Sequence, residues 1–211
     1  MSAPAWERSL EVHTAAQTHA LAAALGAVLE TGDLLVLTGE LGAGKTTFTQ
    51  GLGEGLGVRA GIISPTFVLV RIHPNLPGGP RPGGPDLVHV DAYRLDSAAE
   101  IDDIDLENTM DSAVTVVEWG RGRVEHLSDS RLEVELHRTL GGAAASAEIP
   151  ADTGASPVLD FDTDDDDEPR TVVIRGFGPR WAEAPTLPGP ETMPGAGPLP
   201  GTTPQTPERN P

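Results

Sequence analysis

The chain lacks cysteine altogether. That absence excludes thiol catalysis, disulfide bonds and zinc sites built on cysteine, and it fits a reducing compartment. No run of 18 apolar residues is present, so we expect no membrane-spanning helix. The N-terminal stretch lacks the basic-then-apolar order of a signal peptide. We therefore expect a cytoplasmic protein that makes no contact with a membrane.

Positive charge is also scarce, because 32 acidic residues face 14 lysines and arginines and the formal net charge is −18. A chain this acidic is a poor direct ligand for nucleic acid, whose phosphate backbone requires cations. If the protein serves an RNA pathway, we expect it to meet RNA only indirectly, through a protein partner. The acidic surface itself suits a basic partner.

Large apolar residues are rare in two stretches of the C-terminal third. Residues 182–211 are rich in Pro, Gly and Thr, and residues 141–170 include the acidic run 164–168. Neither stretch offers enough apolar surface to offset its ordering entropy. We predict a domain over 1–181 with an acidic low-complexity insert at 141–170, followed by a disordered tail at 182–211.

The remaining sequence alternates apolar strand-like runs with helical patterns, which is typical of an α/β protein with a mainly parallel sheet. A Pro/Gly-rich loop at 74–85 joins strands 66–73 and 86–91, which we expect to form one antiparallel hairpin. We predict helices over 14–30, capped by Thr14, and 45–57, with one or two short helices in 97–112. The other predicted strands cover 9–14, 33–39, 113–118, 131–138 and about 170–181, and we expect 131–138 to be half exposed.

The segment Gly39–Thr46, "GELGAGKT", fits G-x-x-x-x-G-K-[ST] at every fixed position and lies between a predicted strand and a predicted helix. In this motif the glycines let backbone N–H groups converge on phosphate oxygens at a helix N-terminus. The lysine reaches the β- and γ-phosphates, and the hydroxyl binds Mg²⁺. The motif predicts a three-layer P-loop NTPase fold, with ATP and Mg²⁺ as ligands and a phosphate cradle made by Gly42, Ala43, Gly44, Lys45, Thr46 and Thr47.

Lys45 is the single lysine of the chain. A compact ammonium fits inside the loop where a planar guanidinium does not. Because no second lysine exists, the guanine-reading N-K-x-D motif of Ras-type GTPases is excluded. Adenine is therefore the expected base.

A P-loop site also needs a carboxylate for Mg²⁺ at the end of a neighbouring apolar strand. Two residues meet this requirement, Asp91 after "LVHV" and Glu118 after "VTVV". Either could hold the metal while the other orients the attacking water. The more uniformly apolar strand before Glu118 favours Glu118 as the metal ligand.

Several further residues lie close to these strand ends in the sequence. Ser64 and Thr66 in "ISPTF" are candidates for a hydroxyl that senses the γ-phosphate, although an ordinary turn explains the same pattern. Arg121 and Arg123 either contact phosphate or are solvated, and Trp119 is expected in the core or the pocket wall. Four histidines lack metal-ligand spacing, and we interpret them as incidental: His73, His89, His126 and His137.

Taken together, "GELGAGKTTFTQGLGEGLGV", "ISPTFVLV", "LVHVDAYRLD", "VTVVEWG" and "GFGPRW" resemble the bacterial TsaE (YjeE) family. The resemblance covers about residues 9–140 and 171–181. It implies a small P-loop ATPase that supports threonylcarbamoyladenosine synthesis in tRNA, is weak alone, and acts with the partners TsaB and TsaD.

The resemblance also implies roles for individual residues. Lys45 and Thr46 would serve the phosphates and Mg²⁺, and Glu118 would be the second protein ligand of Mg²⁺. Asp91 would assist hydrolysis, and residues 64–66 would form a switch-like loop. Two candidates complete the nucleotide site: Thr14, as a contact at the first strand-to-helix junction, and Trp119, close to the site.

Two other functions compete with this interpretation. A small-molecule kinase would use Arg121 and Arg123 as a lid, and a non-catalytic adaptor would bind nucleotide without turnover. The long loop at 74–85 and the insert at 141–170 depart from the family pattern and leave the partner-facing surface undefined.

Overall fold

The computed structural model describes residues 3–95, 100, 101, 104, 106–138 and 169–194. Within these residues the chain forms a seven-stranded sheet with three α-helices. The strands are β1 Trp6–Val12, β2 Leu34–Gly39, β3 Val70–His73, β4 Asp86–Asp91, β5 Ala113–Glu118, β6 Arg131–Arg138 and β7 Arg170–Phe177. The helices are α1 Ala15–Gly26, α2 Lys45–Leu56 and α3 Glu107–Met110, and 3-10 turns occur at Ala92–Arg94, Pro179–Trp181 and Pro190–Thr192.

The sheet order is β1-β7-β6-β2-β5-β4-β3. The central pairs β6–β2, β2–β5 and β5–β4 are parallel, which confirms the predicted α/β architecture. The predicted hairpin is present as the antiparallel pair β3–β4. The opposite edge is also antiparallel, through β6–β7 and β1–β7, a feature that the local pattern of strands did not predict.

Two apolar clusters cover the two faces of the sheet. On one face α1 and α2 pack on the strands through buried residues such as Leu25 and Leu52. The other face is covered around β2, β5 and β4 by a thinner layer that includes Leu106 and Met110. The three layers are therefore present, and among the described residues the two longer helices lie on one side.

Strand β6 is more deeply buried than predicted. Its first six residues are buried, and only the last two are partly or fully exposed. The physical reason is its place between β2 and β7. Its acidic side chains are held in ion pairs, Glu133 with Arg131, and Glu135 with Arg121 and Arg175.

The strand predicted over 66–73 is shorter, because the backbone turns before Val70. Both Val68 and Leu69 donate backbone N–H groups to the carbonyl oxygen of Pro65. Leu69 adopts a φ of 65°, which is left-handed and incompatible with an extended strand. The "SPTF" segment is thus a turn, and only Val70–His73 pairs with β4.

The C-terminal segment packs on the domain beyond the predicted boundary at residue 182. Leu187 lies against the apolar cluster beneath α1 and α2, and Met193 belongs to it with 4% of its surface exposed. Through these two apolar side chains residues 182–194 pack on the domain, whereas we predicted a disordered tail there. The other residues of that tail, 195–211, and most of the predicted insert lie outside the described residues.

None of the helices in the described part of the chain combines the length and apolar character that a membrane crossing requires.

Helices α1 and α2 approach each other closely through glycines of α2. A Cβ atom built on Gly51 would overlap the carbonyl oxygen of His19 and lie 2.8 Å from Cβ of Ala22. Glycine in a helix ordinarily costs stability relative to alanine. Here the contact geometry reverses that preference.

We therefore expect Gly51→Ala to lower the free energy of unfolding by about 1–3 kcal/mol, because the two helices must move apart. Chemical denaturation followed by circular dichroism measures the change. Gly78→Ala is the matched control, since a Cβ atom there meets nothing within 4 Å. Equal or greater stability of the Gly51 variant would show that the helices are not in tight contact.

Candidate functional site

The loop Gly39–Thr46 connects the end of β2 to the start of α2. Gly42 and Gly44 have φ angles of 77° and 95°, in the left-handed region that glycine adopts without strain. Gly44 also caps the N-terminus of α2. The backbone therefore curls around the end of the helix, as the motif predicts.

The Lys45 ammonium lies inside this curl. Its Nζ atom donates to the carbonyl oxygens of Gly39 at 2.9 Å and Glu40 at 3.0 Å. It also sits 4.2 Å from the centre of the Trp119 ring, a distance that favours a cation–π interaction. The residue is only 7% exposed.

The electrostatics of the site act on Lys45 in opposite directions. Burial lowers the pKa of its ammonium below the ordinary lysine value, because a low dielectric disfavours charge. The carboxylates of Glu118 and Asp91 partly oppose this lowering. The two acids thus face the lysine closely enough to stabilise its charged form.

Asp91 and Glu118 lie side by side at one edge of the sheet. They are register partners at the carboxyl ends of β4 and β5, and Glu118 is also in register with Leu37 on β2. Both acids are 3% exposed. Gly39, Asp91 and Glu118 thus lie together at the carboxyl ends of parallel strands.

Asp91 accepts hydrogen bonds from the turn that precedes β3. Its Oδ2 atom accepts from Thr66 Oγ1 at 2.7 Å and from Ser64 Oγ at 3.5 Å, and the two hydroxyl oxygens are 2.7 Å apart. Its Oδ1 atom accepts from the backbone N–H of Tyr93 at 3.0 Å. Both hydroxyls that the sequence nominated therefore lie at the site, through Asp91.

Glu118 contacts His89, a residue whose sequence context indicates no role. His89 Nε2 is 2.8 Å from Glu118 Oε1, and the histidine is fully buried. His89 precedes Asp91 by two residues on β4, so both side chains face the same side of the sheet. That alternation, "HVD", is the sequence signal that could have identified His89.

Trp119 also lies at the site. Its φ of 61° is unusual for a bulky residue, and its backbone N–H still donates to Leu37 at 3.0 Å. Its ring meets the Tyr93 ring edge-on at 5.8 Å between centroids. The ring lies beside Lys45, and its role as a pocket wall stays a prediction.

Other nominated residues have different contacts in this structure. The Arg121 guanidinium pairs with Glu135, and Arg123 donates to the carbonyl oxygen of Ala92 at 2.8 Å. These contacts remove the support for a lid of two arginines. Thr14 caps α1 by accepting from the N–H of Gln17.

The donor set at this edge suits Mg²⁺. The described residues contain no cluster of three or more histidine or acidic side chains that could bind a metal alone. Mg²⁺ typically takes one or two carboxylates and completes its shell with water and phosphate oxygens. Glu118 and the Thr46 hydroxyl, next to a phosphate loop, fit that requirement.

A strand, a glycine-bearing loop that encloses a lysine, a helix and two strand-end carboxylates together define an α/β protein of the P-loop class. Comparison with known sequences gives the family. The family described as "Threonylcarbamoyl adenosine biosynthesis protein TsaE" matches residues 12–143. The chain belongs to the TsaE family.

Two relatives illustrate the range of similarity. A protein of Streptomyces coelicolor is 46% identical over 161 residues, which span 76% of this chain and 90% of the relative. A Bacillus subtilis protein is 37% identical over 123 residues, 58% of this chain and 72% of the relative. Both are named tRNA threonylcarbamoyladenosine biosynthesis protein TsaE.

The fold has a solved counterpart. The crystal structure of YdiB from Bacillus subtilis superposes with a TM-score of 0.55 and 26% sequence identity. The match covers 83% of this chain and 89% of YdiB. The family and this structural neighbour imply nucleotide binding.

The contact between His89 and Glu118 leads to a prediction. Replacing His89 with alanine removes the partner of a buried carboxylate, so we expect the free energy of unfolding to fall by about 1–3 kcal/mol. We also expect weaker binding of Mg²⁺-nucleotide, because Glu118 loses its fixed orientation. His89→Gln retains an N–H donor and should recover part of both losses.

Thermal unfolding and calorimetric titration with nucleotide, each with and without Mg²⁺, measure the two effects. His126→Ala, at an exposed position, is the control. Unchanged Mg²⁺ dependence in His89→Ala would show that the histidine does not position Glu118.

Proposed function

We propose that this protein is the Mg²⁺-dependent ATPase subunit required for threonylcarbamoyl modification of adenosine in tRNA. The observation that carries the proposal is the placement of the Lys45 ammonium, within the loop and facing the paired carboxylates of Asp91 and Glu118. This combination supplies a cation for phosphate and oxygen ligands for a metal. The names of the relatives supply the pathway.

The loop and the first turn of α2 perform the binding. The backbone N–H groups of residues 42–47 would hold the phosphates at a helix N-terminus. Lys45 would exchange its two carbonyl contacts for β- and γ-phosphate oxygens. Thr14, Trp119 and Arg121 remain candidates for nucleotide contacts, although Arg121 would first have to leave Glu135.

Thr46 and Glu118 are the proposed Mg²⁺ ligands. Bound Mg²⁺ would neutralise charge on the phosphate oxygens. His89 contacts Glu118 through Oε1 only. The other carboxylate oxygen, Oε2, is therefore the atom that we assign to the metal or to its bound water.

Asp91 is the proposed water-orienting residue. Its two oxygens are fixed by Thr66 and by the N–H of Tyr93, so its lone pairs point in defined directions. The contact with Thr66 also links Asp91 to the turn at 65–69. A change in that turn when nucleotide binds would thereby reach the water-orienting group directly.

Partner proteins are part of the proposal. We assign TsaD and TsaB as the proteins that complete the assembly and carry the transfer chemistry, with tRNA reached only through them. The net charge of −18 and the pI of about 4.5 support indirect contact with tRNA. We expect slow hydrolysis by the isolated chain.

Phosphate release in the presence and absence of TsaB and TsaD tests the function. We expect a slow basal rate that rises when both partners are added. Glu118→Gln should lower the stimulated rate by about a hundredfold or more, because it removes a charged group from the reacting centre, while nucleotide still binds. Glu11→Gln, an exposed acid on β1, is the charge-matched control.

Two results would contradict the proposal. The first is fast hydrolysis of ATP by the isolated chain, at a rate that TsaB and TsaD do not change. That result would show that the partners do not activate the ATPase. Full support of tRNA modification by Glu118→Gln would indicate a nucleotide-binding adaptor in place of an ATPase.

A further inference from the structure

Two arginines flank the phosphate loop on the side opposite to the carboxylates. Arg138 is the last residue of β6 and Arg170 the first of β7, and they are register partners in that antiparallel pair. Strand β6 lies next to β2, with Leu136 in register with Gly39 at the start of the loop. The sheet order thus brings both arginines to the loop.

Their guanidinium groups lie against the glycines of the cradle. A Cβ atom built on Gly42 would be 3.5 Å from Nη1 of Arg138. One built on Gly44 would be 3.6 Å from Nε of Arg170. Arg170 is only 9% exposed, so the surrounding residues determine its position to a large extent.

The loop therefore separates two kinds of charge. Asp91 and Glu118 lie toward β4 and β5 on one side of β2, and the arginine pair lies toward β6 and β7 on the other. Glu118 and Thr46 would hold the Mg²⁺ that supplies positive charge to the terminal phosphates. The metal end of a bound polyphosphate should then face the carboxylates, and its nucleoside end should face the arginines.

We infer that Arg138 and Arg170 bind the α- and β-phosphates of the nucleotide and thereby set the affinity for its diphosphate portion. Guanidinium groups form paired, charge-assisted hydrogen bonds with phosphate oxygens. This inference rests on the proposed binding of ATP in the loop. It assigns the arginines to ground-state binding and not to stabilisation of the departing γ-phosphate.

Calorimetric titration of the full chain with ADP and with ATP, each with Mg²⁺, tests the inference. We expect Arg138→Ala to weaken the binding of ADP and of ATP by the same factor, about ten- to a hundredfold. Arg138→Lys keeps the charge without the planar fork and should recover part of the loss. In the presence of TsaB and TsaD, KM for ATP should rise while kcat stays unchanged.

The control is Arg59→Ala, which removes the same charge from an exposed position beyond the C-terminal end of α2. Thermal unfolding of each variant separates lost binding from lost folding. If Arg138→Ala unfolds, Arg138→Lys and the ionic-strength dependence of ADP affinity provide the test. The lysine variant keeps the charge, so this slope should stay close to that of the unaltered chain, while ADP affinity itself falls because the paired hydrogen bonds are lost.

Three outcomes would overturn the inference. Unchanged ADP affinity in a folded Arg138→Ala would remove the proposed contact and leave the ATPase proposal intact. A loss confined to ATP or to kcat would place Arg138 at the γ-phosphate. Failure of the unaltered chain to bind either nucleotide would overturn the proposed function, and the inference with it.

Discussion

The architecture of the site depends on one buried cation. The Lys45 ammonium is held by the carbonyl oxygens of Gly39 and Glu40 and covered by the Trp119 ring. A buried charge is tolerated only when polar partners replace water. Loop carbonyls, an aromatic face and nearby carboxylates meet this requirement together, which explains why the loop closes over its own lysine. In the proposed function the same ammonium would donate to phosphate oxygens in place of the carbonyls.

Strand register and side-chain contacts together position the two carboxylates of the site. Asp91 and Glu118 are brought together by strand register, and each is then oriented by a neighbour, Asp91 by Thr66 and Glu118 by His89. Oriented carboxylates lose less freedom when a metal or water binds. The contact with Thr66 also places the turn before β3 within one hydrogen bond of the proposed water-orienting acid. A change at the turn can therefore reach Asp91 directly.

Features encoded by contiguous patterns could be predicted from the sequence. The phosphate motif, the apolar runs of β2, β4 and β5 and the Thr14 cap are local, and each lies where its pattern indicated. Asp91 and Glu118 could be nominated because each ends an apolar strand.

Features that depend on strand order could not be predicted. Burial of β6 and the arrival of Arg138 at the loop follow from the position of β6 beside β2, which no local pattern specifies. The turn at 65–69 was misjudged because its apolar residues mimic a strand.

We propose that Lys45 exchanges its loop carbonyls for phosphate oxygens when nucleotide binds. Since the chain has a single lysine, protein labelled with ¹⁵N- and ¹³C-lysine gives one side-chain Nζ signal in NMR spectra. We expect saturating ATP with Mg²⁺ to shift this signal, and AMP, which lacks β- and γ-phosphates, to leave it in place. An unmoved lysine signal in protein shown by calorimetry to be saturated with ATP would show that the ammonium keeps its loop contacts and does not bind the phosphates.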